Sequence, residues 1–422
     1  MNKPQGNFAN NFAWLLGSEG FVRVTRLGTA IILARYLSAF EFGIAALAIA
    51  SHELLRVLAQ NGFGLRLIRH DDADIDKLSN TLYVLNWAWS GGLFVLQCIA
   101  AFFASRYFDT PDLQKMLLVL AATYLAMPLG LTQMYRVQRD QRLKVTAWID
   151  STQIMIDNVL TAALAIAGFG AWSIVLPKLL VTPVWVIGYR WAEPWRFNRK
   201  LGFTPFKNAF AETRGILTSE VARSLRAQMD IFVIGRLLGT EALGLYYFAR
   251  NSGLGISLSM LQAATHAMLP QLGEIGRRFG IGQELREESL KILRLLLLIV
   301  VPIITAQTLL APFYVPLVFG DQWVPAVPVL MLLCLSAAPR VIGESVAQLT
   351  RATGQSHIDA RWNVWSTPIF LVVVMFGTSE GLLGTAIAIC IFHWLYQSLF
   401  VTSTLLGMFG RRPVDSALPA RI

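Results

Sequence analysis

TLYVLNWAWSGGLFVLQCIAAFF, residues 81–103, runs for 23 positions without a charged side chain. As a helix rising 1.5 Å per residue it would be about 35 Å long, enough to cross the roughly 30 Å hydrocarbon core of a bilayer. A helix apolar on every side belongs in a protein core or in lipid. The composition decides between them. The chain has 422 residues, 55% hydrophobic and only 15% charged, with mean hydropathy +0.52. That balance suits a polytopic membrane protein and is rare for a soluble one of this length.

Twelve apolar stretches near 20 residues are expected spans: 12–36, 43–65, 81–104, 116–135, 146–167, 170–189, 214–237, 242–267, 290–311, 325–349, 362–378 and 381–407. The opening MNKPQGNFANNF has no short apolar core with a cleavage site, so no signal peptide is expected. Cys98, Cys334 and Cys390 all fall within apolar runs, and no disulfide framework is implied.

Loop charge sets the orientation. Alternate loops carry Arg136, Arg139, Arg142 and Lys144, then Arg190, Arg196, Arg199, Lys200 and Lys207; the opposite loops hold only Arg35, Arg106, Lys115 and Arg236. The alternation holds across all twelve spans and puts both termini in the cytoplasm. A sequence pI near 9.7 is explained by this topology, and no nucleic-acid partner is needed.

The sequence also repeats at a spacing of 201. SEGFVRVTR (18–26) lies over SEVARSLRA (219–227), and ILARYLSAFEFG (32–43) lies over VIGRLLGTEALG (233–244). Glu19 thereby meets Glu220, Arg35 meets Arg236 and Gly43 meets Gly244. The expected fold is all-α: two six-helix lobes at 1–190 and 214–408, joined by a basic cytoplasmic linker (191–213) and followed by a cytoplasmic tail (409–422). An even number of spans per lobe relates them by a pseudo-two-fold axis along the membrane normal.

Eight cations lie within these spans: Arg23, Arg26, Arg56, Lys178, Arg223, Arg226, Arg250 and Arg340. Each costs roughly 2.5–3.5 kcal/mol at bilayer depth if left to lipid. Pairing is the bland explanation. Glu19–Arg23, Arg226–Asp230 and Arg340–Glu344 are spaced i, i+4; Glu53–Arg56 and Glu220–Arg223 are i, i+3. Asp157 and Lys178 sit at similar depth on consecutive spans. Arg26 and Arg250 have no acid at helix spacing. Six of the eight cations fall on spans 1, 2, 7 and 8, the ones matched by the repeat, which suggests a polar central cavity. Arginine suits a phosphate there, because its planar fork binds oxyanions bidentately and stays charged.

ILARYLSAFEFGIAALA (32–48) and DIFVIGRLLGTEALGLYYFARN (230–251), with the buried Glu and Arg of the first span, resemble the Wzx-type polysaccharide flippases, or O-antigen translocases. The likeness is greatest to their colanic-acid and teichuronic-acid exporter branch. It implies the fold of the multidrug/oligosaccharidyl-lipid/polysaccharide superfamily. It also implies flipping of an undecaprenyl-pyrophosphate-linked oligosaccharide from the cytoplasmic to the periplasmic leaflet of a bacterial inner membrane. Related flippases, including the lipid II flippase, place cavity arginines on spans 1, 2 and 8, which match Arg23 or Arg26, Arg56 and Arg250. With Arg223 these form the expected headgroup-phosphate set. Membrane lipids are implied partners, and the family context adds a polysaccharide polymerase and a chain-length regulator. The fourteen-span members carry two spans more than are counted here.

No Walker-type phosphate loop occurs, and the five histidines have no ligand spacing, so neither nucleotide hydrolysis nor a metal or other cofactor is expected. A proton or sodium gradient is the candidate energy source. Glu19, Asp157, Glu220 and Asp230 are the candidate coupling carboxylates. Two other functions compete. A MATE-like drug/cation antiporter would share the fold but favour an acidic or aromatic cavity. A membrane O-antigen polymerase or glycosyltransferase would need a larger external segment than PFYVPLVFGDQW (312–323).

Overall fold

Hydrocarbon offers no hydrogen-bond partner to a backbone amide, so a chain this apolar is driven to satisfy its amides within helices. The computed structural model describes residues 25–60, 64–69, 75–203, 209–254 and 282–409, and among these there is no strand. In chain order the helices are α1 (25–36), α2 (Ala39–Gln60), α3 (Gly64–Arg69), α4 (Ile75–Tyr107), α5 (Pro111–Ala126), α6 (Pro128–Arg139), α7 (Leu143–Ile166), α8 (Trp172–Leu180) and α9 (Thr182–Ala192). They continue as α10 (Ala209–Leu237), α11 (Gly239–Ala249), α12 (Gln283–Tyr314), α13 (Val327–Ala352), α14 (Ser356–Thr378) and α15 (Gly381–Phe409). Short π-helical turns follow α11 at Arg250–Leu254 and α12 at Val315–Phe319.

Among the described residues six stretches are long and apolar enough to cross a membrane: α2, α4, α8 with α9, α12 with its π turn, α13 with the 3-10 turn before it, and α15. A seventh appears if α5 and α6 are taken together, but they are bent by 56°. The stretch 116–135 was expected to be one span. Pro128 breaks it, since proline has no N–H to donate and crowds the carbonyl four residues back. The expected spans α7, α10 and α14 fall outside the apolar set. α7 carries Lys144, Asp150 and Asp157, and α10 carries Glu220, Arg223, Arg226 and Asp230.

The chain forms two compact units, Met1–Gly244 and Leu245–Ile422. In the first, Leu67, Leu78, Leu82, Tyr124, Leu131, Tyr135 and Tyr189 build the main core. Tyr135 lies flat against Gly64 and donates to Gln60 O at 2.9 Å, so one side chain holds both α2 and α3. On the outside, α4 leaves Trp87, Val95, Ile99 and Phe103 uncovered. Such a continuous apolar row is unfavourable in water and suited to lipid.

Within this unit α2 crosses the first turns of α11 at backbone distance. A methyl added to Gly43 would overlap the Thr240 carbonyl, and one added to Gly244 would overlap the carbonyl of Ala39. Ala39 and Thr240 are themselves 201 residues apart, as are Gly43 and Gly244. The crossing is therefore reciprocal, made by two matched small-xxx-small steps. It is the kind of contact a local two-fold relation produces. Beside it α10 packs along α2, and Arg236 reaches Asp109 at 3.3 Å.

The segment after α9, expected as a linker, is docked for its first half. Arg136 pairs with Asp76 at 2.6 Å and with Glu193 at 3.1 Å, and Arg142 reaches Glu193 at 3.4 Å. Asn80 Nδ2 donates to Asn198 O at 2.7 Å and to Gly202 O at 3.2 Å, while Phe197 stacks on Tyr83.

In the second unit α13 packs against α12 and α15, and α14 against α15. Phe248 stacks on Trp323 with ring centroids 4.0 Å apart. Gly343 brings α13 so close to α15 that a methyl there would meet the Gln397 amide. Leu383, Ile387, Ile391, Leu395 and Leu399 form an uncovered row along α15 at four-residue spacing.

Two sets of substitutions test this packing. Gly43→Val and Gly244→Val are each expected to cost about 1–3 kcal/mol through overpacking. Both should lower the melting temperature of detergent-purified protein. Gly407→Ala, where nothing lies within 4 Å, should be neutral or raise it. Arg136→Ala removes the nearer of the two arginines that hold Glu193, whose side chain is only 14% exposed, and leaves it Arg142. A loss of about 1–3 kcal/mol is expected, with a smaller effect from Asp76→Ala at the exposed end of the same cluster.

Candidate functional site

The charges that lipid would reject mark the site, and the structure shows how each described one is held. On α1, Thr29 Oγ1 donates to Asn158 O at 3.0 Å and Asn158 Nδ2 donates to Thr25 Oγ1 at 3.2 Å, which ties α1 to α7. Arg26, between these two threonines, is exposed. Glu19 and Arg23, with the expected pair between them, lie outside the described residues.

On α2, Arg56 and Glu53 pair at 2.9 Å, one helical turn apart, with side chains 40% and 28% exposed. Asp157 and Lys178 meet across α7 and α8 at 2.6 Å. This contact joins two helices that lipid would otherwise meet as bare charges. Asp157 is 14% exposed, and its second oxygen, Oδ1, is buried without a hydrogen-bond partner. On α10, Arg223 and Glu220 are in direct contact, with the arginine largely uncovered. Asp230 is buried and accepts the Ile231 N–H at 3.0 Å. Arg250 opens the π turn after α11, half-buried and engaged with its surroundings despite lacking an acid at helix spacing.

The expected Arg340–Glu344 pair is replaced by a different arrangement in the second unit. Arg340 lies against His393 of α15, while Glu344 pairs with Arg351 at 3.2 Å and accepts from Gln348 at 3.1 Å. Arg351 in turn holds Asp359 of α14 at 2.9 Å. Helix spacing permits i+4 and i+7 partners alike, and the packing of α14 and α15 against α13 selects between them.

Sequence reasoning also missed a buried network beside the Glu53–Arg56 pair. His52 Nδ1 lies 3.2 Å from Gln97 Oε1 and 3.1 Å from Tyr124 Oη. Tyr124 Oη donates to His52 O at 3.1 Å, and Gln97 Nε2 donates to Leu117 O at 2.8 Å. Three helices, α2, α4 and α5, are thereby fixed around the residue that precedes Glu53. The signal was available: His52 and Gln97 are polar residues within apolar spans, where an unpartnered polar group is costly.

The described site residues hold charges in exchangeable pairs rather than arming a nucleophile. Among the described residues no group of three His, Cys, Asp or Glu is placed to hold a metal ion. Paired guanidiniums and carboxylates at half-covered positions can trade one oxyanion for another. That is chemistry for binding and release.

Comparison with known proteins gives the family. The model described as "Polysaccharide biosynthesis protein" matches residues 32–328, well over half of the chain. The teichuronic acid biosynthesis protein TuaB of Bacillus subtilis is 26% identical over 359 residues, covering 83% of this chain and 71% of that protein. The lipopolysaccharide biosynthesis protein WzxC of Escherichia coli is 23% identical over 384 residues, covering 90% and 75%. Among solved structures, an inward-facing multidrug resistance MATE family transporter of the MOP superfamily superposes with a TM-score of 0.73 at 14% identity, covering 92% of this chain and 94% of that one. The lipid II flippase MurJ, in an inward closed conformation, gives 0.70 at 12% identity, covering 93% and 87%. At these identities the two structures show a shared fold alone. With its apolar helices and this match, the chain is a multi-pass membrane protein that belongs to the polysaccharide biosynthesis protein family.

Proposed function

We propose that the protein is a flippase, not an enzyme, and that it moves an undecaprenyl-pyrophosphate-linked oligosaccharide from the cytoplasmic to the periplasmic leaflet by alternating access. The observation that carries this is the family match over residues 32–328, with relatives named for lipopolysaccharide and teichuronic acid biosynthesis. The physics fits the cargo. A pyrophosphate joined to sugars cannot enter hydrocarbon, while its polyprenyl tail belongs there. A transporter need only shelter the headgroup, and ion pairs on membrane-spanning helices supply that shelter without covalent chemistry.

The architecture in this proposal is twelve spans in two six-helix lobes, 1–190 and 214–408, in the bacterial inner membrane. Both termini are cytoplasmic, as are the linker at 191–213 and the tail at 409–422. The repeat at spacing 201, the reciprocal Gly43 and Gly244 contacts and the loop-charge alternation support it. Arg26, Arg56, Arg223 and Arg250, with Arg23, take the diphosphate. Asp157, with Glu19, Glu220 and Asp230, couples transport to a proton or sodium gradient. A polymerase and a chain-length regulator receive the product.

Two experiments test these roles. In cells dependent on the protein for polysaccharide export, Arg26→Ala and Arg250→Ala should each abolish export at normal protein levels, with Lys retaining part. Full export by both Ala variants would refute the phosphate role, and purified protein binding an organic cation in preference to a lipid diphosphate would favour an antiporter. The second is a cycle at Asp157 and Lys178. Lys178→Met alone should destabilise by about 3–5 kcal/mol, by leaving a buried carboxylate unpaired. Adding Asp157→Asn should restore stability without restoring export. A stable and active double variant would reduce the pair to a structural one.

A further inference from the structure

The start of α12 and the ends of α13 and α15 line a cavity of about 300 Å³ within the second unit, and none of the residues assigned to transport is among its lining residues. Its walls are mostly apolar, with Leu290, Leu293, Val346, Leu349, Leu405 and Phe409, and Ser345 of α13 spends its hydroxyl on Val341 O at 2.8 Å. Two polar side chains of α12, Arg286 and Ser289, enter it three residues apart. The Ser289 hydroxyl is buried and makes no hydrogen bond, although a serine in a helix commonly turns back to a carbonyl of the preceding turn. No ion pair engages Arg286 among the described residues. The neighbouring acids are occupied elsewhere: Glu287 accepts from Gln283 at 2.8 Å and Glu288 pairs with Lys291 at 2.9 Å. Among the described residues no acid lines the cavity. α12 passes here from its charged first turns into the apolar run that begins at Leu295, so the cavity lies where the helix enters the membrane.

We infer that this cavity binds an anionic phospholipid of the surrounding bilayer. Its phosphodiester would sit on Arg286 and Ser289, with the first methylenes of one acyl chain between Leu290, Leu349 and Leu406. Basic pockets between membrane helices are suited to anionic headgroups. A single guanidinium matches the one negative charge of a phosphodiester, whereas a lipid diphosphate carries more charge than this site balances. None of the described lining residues is a carboxylate that could receive the ammonium of a zwitterionic headgroup. The volume admits a headgroup and the start of a chain.

Native mass spectrometry of the full-length protein, purified in detergent and titrated with dioleoylphosphatidylglycerol or dioleoylphosphatidylcholine, tests the assignment. Wild type should retain phosphatidylglycerol at least tenfold better than phosphatidylcholine. Arg286→Ala should weaken its retention by about tenfold, the scale of a lost charge-assisted hydrogen bond, and Arg286→Lys should keep most of it. Ser289→Ala should give a smaller loss, and phosphatidylglycerol should raise the melting temperature of wild type but not of Arg286→Ala. Equal retention of the two lipids by wild type would overturn the inference. So would undiminished phosphatidylglycerol binding by a folded Arg286→Ala variant, or displacement of the lipid by one equivalent of undecaprenyl pyrophosphate.

Discussion

A charge in hydrocarbon must find a partner or water, and the placement of the paired charges on the described helices follows from that requirement. Lys178 and Asp157 are the plainest case. Neither has a partner on its own helix, yet together they join α7 to α8 at 2.6 Å and remove two charges from lipid in one contact. The same requirement explains what lies outside. α4 keeps its charges near the ends, α15 carries no Asp, Glu, Lys or Arg, and both turn rows of Leu, Ile, Val and Phe outward. Helices with paired charges are thus obliged to face protein, and helices without them are free to face lipid. This sorting positions α1, α2, α7, α8 and α10 as the polar elements of the first unit before any detail of packing is considered.

Pairing alone does not bring helices together; close backbone approach does. At the crossing of α2 and α11 two glycines let each helix meet a carbonyl of the other, and both the glycines and the residues they meet are matched by the repeat. Dispersion forces rise steeply as backbones approach, and in lipid they must do much of the work that water exclusion does for soluble proteins. A duplicated sequence can drift widely on its lipid faces. Where backbone meets backbone, any side chain larger than hydrogen is excluded.

The sequence made the helical class, the polar helices and three of the ion pairs legible: Glu53–Arg56, Glu220–Arg223 and Asp157–Lys178 all form. Local spacing decides the first two, and depth in the bilayer decides the third. It failed where packing against another element chooses the partner. Glu344 reaches Arg351 rather than the expected Arg340, and Arg340 rests on His393. The His52–Gln97–Tyr124 network and the docking of 193–203 onto α4 and α6 are likewise contacts between segments tens of residues apart, with no local pattern to announce them. The break at Pro128 was readable from the proline. It was lost because a hydropathy run counts residues and ignores a missing backbone donor.

The graded burial of the pairs bears on how such a protein can bind and still let go. Glu53–Arg56 is a one-turn pair with both side chains partly uncovered, and pairs of that kind are worth a few tenths of a kcal/mol. In the proposed cycle its guanidinium would leave the carboxylate for a doubly charged diphosphate at little cost and return when the ligand departs. Asp157–Lys178 is different. Its carboxylate is more deeply covered and keeps one oxygen without a partner, so separating the pair strands a charge that only a new cation, a proton or water can satisfy. A weak pair suits a group that must exchange partners with the cargo in each cycle. A strong pair with an open coordination position suits a group whose state must change only when a small cation arrives. The two kinds of pair sit on α2 and on α7 with α8, held in one unit whose helices touch one another. Cargo binding and cation binding would therefore act on the same body of packed helices.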